Sequence, residues 1–403
     1  MKEKIFYGWW IVLACFFIGL YVSGVTFYGF TAFIEPLTQE FNWSYTQVSF
    51  AASLRGLEMG IFAPLIGFIV DRLGARKVIL CGVITVGCGL ILLSFTQSLV
   101  MFYGAFLLLA FGAGGCTSLV NISVVVNWFS RNVGKALGLM GSGFGASGLM
   151  VPVIVWLIGI FGWRHTLIIL GVGVWLVGIP LSFVIRNRPE EYGYVPDGKM
   201  DSSRTCGEGI SGEKESIRLW ELLRQRSFLF LNLAEFVRMM AVSTVATHVM
   251  PYLTSSGMSR PQAGFVAAAV PLVSIIGRVS FGWLGDIWAK RYVMALTFGL
   301  MGAGMLIFSQ IQWAWMILLF LLVYPPSYGG ATVLRGAVLR EYFGRESFGK
   351  MMGILMGSSS VGGIIGPTLA GWVFDSFGTY QSLWIVYALS TSLMILFILR
   401  MKQ

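Results

Sequence analysis

Charge is scarce in this chain, and histidine is nearly absent. Lys and Arg number 28, Asp and Glu 18 and His 2, so charged residues make up 11% of 403 positions while hydrophobic types reach 56%. A water-soluble domain carries about 25% charged residues, and apolar surface on this scale would have no interior to hide in. Cysteine is equally uninformative: Cys15, Cys81, Cys88, Cys116 and Cys206 are odd in number and show no CxxC spacing. Neither a disulfide framework nor a metal site is expected from them. No Gly-Lys-Ser/Thr closes any glycine run, which leaves no nucleotide-binding loop. No nucleophile-base pair or metal cluster of recognisable spacing is present either, so an enzyme and a resident cofactor are not expected.

Long apolar runs are what the chain does have. Each is about 20 residues or longer, enough to cross roughly 30 Å of hydrocarbon, which points to a polytopic all-α membrane protein rather than the short alternating segments of a β-barrel. Twelve spans are predicted: 8–34, 45–70, 78–94, 100–128, 134–160 and 166–185, then 228–250, 263–285, 292–310, 313–338, 349–373 and 382–399. The basic start "MKEKIFYGWWIVLACFFIGLYVSGV" is too long in its apolar part for a signal peptide and lacks a small-x-small cleavage site, so it reads as a retained first span. The single long polar stretch, 186–226, has the Pro, Gly, Ser and charge mix of a linker. Three parts follow: a six-helix bundle over 1–185, the linker 186–226, and a second six-helix bundle over 227–403.

Loop cations set the orientation. Segments on the N-terminal side hold nearly all Lys and Arg, whereas the opposite loops hold only Arg164 and Arg260. The positive-inside rule therefore places both termini in the cytoplasm of a multi-pass protein of the cell (inner) membrane. The net charge of +10 is mostly this topology signal. A nucleic-acid surface is the competing reading of a basic chain, but scattered loop cations without a motif do not make one.

An internal repeat supports the six-plus-six division. "WFSRNVGKALGLMGSGFGASGLMVP" (128–152) matches "YFGRESFGKMMGILMGSSSVGGIIGP" (342–367) with one inserted residue, and "GFIVDRLGARK" (67–77) is echoed by "GWLGDIWAKR" (282–291). Paired six-helix repeats are the building plan of alternating-access transporters.

At Gly67, Asp71, Arg72, Gly74, Arg76 and Lys77 the chain resembles the major facilitator superfamily, whose loop between the second and third helices carries a G-x-x-x-D-R-x-G-x-R-K pattern. The resemblance implies the fold of that superfamily, two pseudo-symmetric bundles of six helices. It also implies a gating latch from Gly67, Asp71, Arg72 and Arg76, with Asp286 as the echo in the second half. "GWW" at 8–10, the fifth-span motif and "RNRPEEYGYVPDG" at 186–198 are similar to the monocarboxylate porter and oxalate/formate antiporter group. Two departures stand out. No lysine lies between Lys4 and Lys77, where some animal members carry one in the first helix, and Ser274 occupies the place of an aspartate one turn before Arg278.

Ionisable residues inside apolar helices are costly and so are functional candidates. Arg278 lies eight residues before Asp286, about 12 Å into the membrane. It either snorkels or pairs within its half, or it binds a carboxylate through its bidentate fork. The resemblance, in which an eighth-helix arginine has that role, favours the second. Asn121 lies at similar depth in the opposite half, as an anion donor or a helix-helix bond. Arg335, its repeat counterpart, is nearer the polar "REYFGRE" end and is expected to snorkel more easily. His248 suits reversible protonation but falls in the outer third of its span, where an interface role competes; the resemblance supports a place near the substrate. Arg55 with Glu58, and Glu235 with Arg238, are spaced i, i+3 and are expected to pair. His248, Glu58 and Glu235 are the proton-coupling candidates. Aromatic residues Tyr21, Phe27, Tyr28, Tyr324 and Tyr328 lie on helices that line the cavity in the superfamily.

The resemblance thus implies a secondary transporter of a small monocarboxylate such as lactate or pyruvate, coupled to a proton and working as a monomer in the bilayer. The gradient would supply the energy. An oxalate/formate-type anion exchanger using Arg278 and Arg335 is the nearest rival, and a ligand-sensing membrane protein without transport is another.

Overall fold

The structure is a computed structural model that describes residues 6–56, 62–116, 118–129, 133–189, 192, 224–311, 314–343 and 348–401. Among the described residues every regular element is helical, as a lipid-embedded backbone requires, because a helix satisfies its N–H and C=O groups within one segment. The helices are α1 (Gly8–Ser23), α2 (Ile34–Phe41), α3 (Tyr45–Leu54), α4 (Ala63–Leu73), α5 (Ala75–Ser94), α6 (Leu99–Cys116), α7 (Ser118–Trp128), α8 (Val133–Ala146) and α9 (Met150–Val184). After the linker come α10 (Arg226–Ser255), α11 (Arg260–Ile287), α12 (Lys290–Ser309), α13 (Ala314–Phe343), α14 (Phe348–Phe377) and α15 (Gln381–Leu399).

Among the described residues, ten helical runs are long and apolar enough to cross a membrane, by length and composition. One of them, Lys135–Val184, is interrupted at Gly162, whose φ of 74° lies in the left-handed region. Only glycine takes that conformation without strain, and the run accounts for the fifth and sixth predicted spans. The second predicted span is represented by α3 and α4, on either side of residues outside the described set. The chain is a multi-pass helical membrane protein. Most of the predicted linker, and Glu58, lie outside the described residues.

Packing divides the chain into two compact units. The first comprises Met1–Ser202 with Ala246–Leu272, and the second Ser203–Val245 with Val273–Gln403. In the first, α1 does not continue as an ideal helix: a π turn (Gly24–Tyr28) and a 3-10 turn (Gly29–Ala32) follow it. Further along, Ser44 caps α3 in a reciprocal box with Gln47, at 3.1 and 3.0 Å, satisfying two orphan donors of the first turn. Gly143 of α8 lies directly on the Phe16 carbonyl of α1. The second unit repeats this solution, with Gly362 of α14 on the Phe236 carbonyl of α10. Small residues at such contacts let membrane helices approach backbone to backbone.

The two ends of the first unit are tied by polar bonds. At the linker end, Tyr7 donates to the Val184 carbonyl (2.9 Å), the Trp128 indole to the Arg186 carbonyl (2.9 Å) and the Arg76 backbone N–H to Asn187 Oδ1 (3.0 Å). At the other end, Glu40 accepts from the Trp163 indole (2.5 Å) and from Arg164 Nη2 (2.8 Å), while Arg164 also donates to the carbonyls of Ser94 and Thr96. Partial burial pushes the Glu40 carboxyl up, but the Arg164 and Trp163 hydrogen bonds and the Arg164 charge outweigh it and leave the group below its ordinary 4.5.

Candidate functional site

The second unit gathers buried charge. Glu235 and Arg238, one turn apart on α10, are 0% and 2% exposed. Arg238 holds the carboxylate with its fork, Nε to Oε1 at 2.9 Å and Nη2 to Oε2 at 2.7 Å. Its remaining Nη1 donates to the Thr332 hydroxyl at 3.2 Å, and Thr332 donates in turn to the Tyr328 carbonyl at 2.8 Å. From α13, Arg335 reaches the same carboxylate through Nη1 at 3.5 Å. Arg335 thus turns inward at 15% side-chain exposure instead of snorkelling to the polar end of its helix. Its Nε is buried with no hydrogen-bond partner.

Arg278 of α11 is half-buried and lies near enough to Arg335 for the two charges to be felt. Glycine brings its helix in. Gly277 rests on the Pro326 backbone of α13, and Gly329 of α13 on the Ser274 carbonyl, so no side chain separates the two helices there. Phe308 of α12 stacks on Phe320 of α13 (centroids 4.2 Å apart), Phe320 on Tyr324 (5.2 Å), and Tyr328 lies tilted against Tyr324 at 5.8 Å, so that an aromatic column runs along α13. Tyr324 and Tyr328 are both within electrostatic range of Arg238. The Tyr324 hydroxyl is buried and has no hydrogen-bond partner. The second unit therefore places three guanidinium groups, one carboxylate and two phenols among apolar helices, a set of donors suited to a small organic anion.

The first unit presents a different set. Asn121 is 3% exposed; its Nδ2 donates to the Cys116 carbonyl at 3.2 Å, while its Oδ1 is buried with no partner. Tyr28 packs with Phe27 and Phe144 at centroid distances of 4.9 and 5.4 Å. Arg55, whose expected partner Glu58 lies outside the described residues, donates to the carbonyls of Thr26 and Ala52 and sits 4.4 Å over the Phe27 ring. Thr26 belongs to the π turn, a local change of helix register that sequence periodicity does not announce.

His248 is fully buried with Nε2 3.0 Å from the Ser49 hydroxyl. Its neighbours in the segment 246–272 are tied into the same unit. The Met250 N–H donates to Thr31 (3.3 Å), Thr254 donates to the Glu35 carboxylate, and Arg260 pairs with Glu35 at 3.4 Å. Of the gating candidates, Arg72 is exposed and lies 4.2 Å over Phe68, while Arg76 lies 5.2 Å from the Phe183 ring. Asp286 is exposed near the end of α11. The side-chain surroundings of Gly67 and Asp71 lie outside the description. A void of about 20 Å³ among Phe30, Phe33, Phe102 and Phe106, with Thr26 in its lining, is mainly apolar and too small for an organic acid.

Comparison with known proteins follows the same direction. Residues 11–324, and again 231–402, match the profile of the Major Facilitator Superfamily. The chain is 28% identical over 404 residues to monocarboxylate transporter 12 of Rattus norvegicus, covering 93% of this chain and 81% of that protein. It is 26% identical over 385 residues to monocarboxylate transporter 13 of the same species, at 94% and 85% coverage. A bacterial homologue of the human lysosomal transporter Spinster, solved inward-facing and unoccupied, shares the fold. That likeness has a TM-score of 0.74 at 16% identity, over 98% of this chain and 96% of that one.

Proposed function

Because the chain belongs to the Major Facilitator Superfamily, we propose that this membrane transporter carries small monocarboxylates, of the lactate or pyruvate kind, together with a proton by alternating access. The observation that carries the reading is the pair of guanidinium groups, Arg238 and Arg335, buried on the single carboxylate of Glu235 in the same unit that holds Arg278. Relatives named monocarboxylate transporters over nearly the full chain support the choice of anion. Arg278 anchors the acid, since a guanidinium stays charged at any working pH and offers a two-point fork. Tyr324 and Tyr328 frame the organic tail. Proton coupling is assigned to His248, whose side-chain type titrates near neutrality; Glu235, clasped by arginine, serves as a counter-ion instead. The termini face the cytoplasm.

The test is uptake of labelled lactate into proteoliposomes at inside-alkaline pH. Truncating a buried, hydrogen-bonded charge costs roughly 30-fold or more in affinity, so Arg278→Ala abolishes uptake at micromolar lactate and Arg278→Lys retains a small fraction. If neither lactate nor pyruvate enters or competes, the monocarboxylate reading fails. If Arg278→Ala transports like the wild type, the site assignment fails. The presence of Arg278 and Arg335 in one unit favours one second reading, an exchanger of oxalate-like dianions. Exchange that persists without a pH gradient and requires substrate on the far side would select it.

A further inference from the structure

The two arginines on Glu235 are not equivalent. Arg238 is saturated: two of its nitrogens hold the carboxylate at 2.9 and 2.7 Å, and the third has Thr332. Arg335 meets the same oxygen, Oε2, at 3.5 Å, the limit of a useful hydrogen bond, and keeps its Nε buried with no partner. Two guanidinium groups around one carboxylate leave this trio with one positive charge in excess. Removing Arg335 from Glu235 would cost little, because Arg238 continues to hold both carboxylate oxygens. An external carboxylate at Arg335 would gain the open Nε and cancel the excess charge. Charge-assisted bonds at the normal 2.7–2.9 Å are far stronger than the contact given up.

We propose that Glu235 is a resident stand-in for the transported acid at Arg335: an incoming carboxylate takes Arg335 over, and Arg238 keeps Glu235 neutralised meanwhile. Glu235 then acts as a built-in competitor that sets how tightly the acid is held. Arg335 is the residue that changes partner, and Arg278 is the fixed anchor. The inference rests on reading the chain as a carboxylate transporter, and it concerns a residue that would not touch the substrate itself.

The test is ligand affinity of the purified full-length protein in detergent. It is read as the shift of its thermal transition by sodium lactate, pyruvate, acetate or oxalate against sodium chloride at equal ionic strength. Glu235→Asp keeps the charge and the Arg238 clasp but shortens the reach to Arg335, and it should tighten carboxylate binding by about fivefold, the low end of ordinary coupling between sites. Glu235→Gln should tighten it further where the protein folds, Arg335→Gln should weaken it, and the double variant Glu235→Gln with Arg335→Gln should lose the gain. Unchanged or weaker binding in both Glu235 variants would overturn the proposal, as would a double variant that binds like Glu235→Gln. Should no acid bind the wild type, the monocarboxylate reading has failed on its own. Acetate must then still bind Glu235→Gln better than the double variant, because the vacated Arg335 is an anion site in either case, and equality would overturn the stand-in.

Discussion

A methyl group at Gly304 should disturb the aromatic column that frames the arginines. A Cβ built at this position of α12 would lie 2.7 Å from Tyr324 Cβ, 3.0 Å from its Cα and 3.1 Å from its N. Ordinary carbon contacts begin at about 3.5 Å, so α12 and α13 must part by roughly 0.8 Å. No rotamer offers relief, because all three atoms belong to the α13 backbone or its first side-chain carbon. Overpacking of this kind costs about 1–3 kcal/mol, which for a unit of this size lowers the melting temperature by roughly 2–4 °C per kcal/mol. Alanine also improves helix propensity by about 1 kcal/mol over glycine, and that gain must be removed. Gly299→Ala does so, for it lies on the same helix and its methyl would meet only the tip of Ile395, at 3.3 Å. Thermal melting of both full-length variants, followed by tryptophan fluorescence, should place Gly304→Ala several degrees below Gly299→Ala. Equal melting, or the reverse order, would refute a backbone contact between these helices.

Two further outcomes follow from the first unit. The Glu40 carboxyl is held below its ordinary 4.5 in the folded chain, so its stabilising effect is complete above that value and disappears as pH falls through the lowered one. Glu40→Gln should therefore flatten the acid limb of the stability curve while melting lower at neutral pH, and an unchanged acid limb would dismiss the cluster as a pH-linked contact. Ser49→Ala removes the hydroxyl 3.0 Å from the buried His248 ring. Losing one buried hydrogen bond costs about 0.5–1.5 kcal/mol, visible as a lower melting temperature that Ser49→Thr should partly restore. No shift would mean the pair contributes nothing.

The apolar helices and the glycine-rich repeat are legible because each is a local property: apolar runs and spaced glycines survive in one dimension. The Glu235–Arg238 pair was legible for the same reason, since i, i+3 spacing puts both groups on one helix face. The direction of Arg335 is not legible in the sequence. Its neighbours in sequence are polar and suggested an outward side chain, whereas the carboxylate that draws it in lies 100 positions away. The same distance problem hid Ser49, 199 positions from His248, and Asn187 on the Arg76 backbone. The i, i+3 spacing of Arg55 and Glu58 suggests a charged partner that lies outside the described residues, and the carbonyl that Arg55 reaches in the π turn after α1 is one that no spacing rule reveals.

The paired glycine contacts, Gly143 on Phe16 and Gly362 on Phe236, have a mechanical consequence. Where side chains interlock, one helix can slide past another only if rotamers hop, and each hop adds to the barrier. Where a bare glycine backbone faces a carbonyl, nothing has to reorient, so small translations along the axis meet a smooth surface. Shear between packed helices is one of the ordinary modes of protein rearrangement. Each unit of this chain carries such a bearing at the same joint, which lets its helices adjust by fractions of an ångström without loosening the packed side chains on either side.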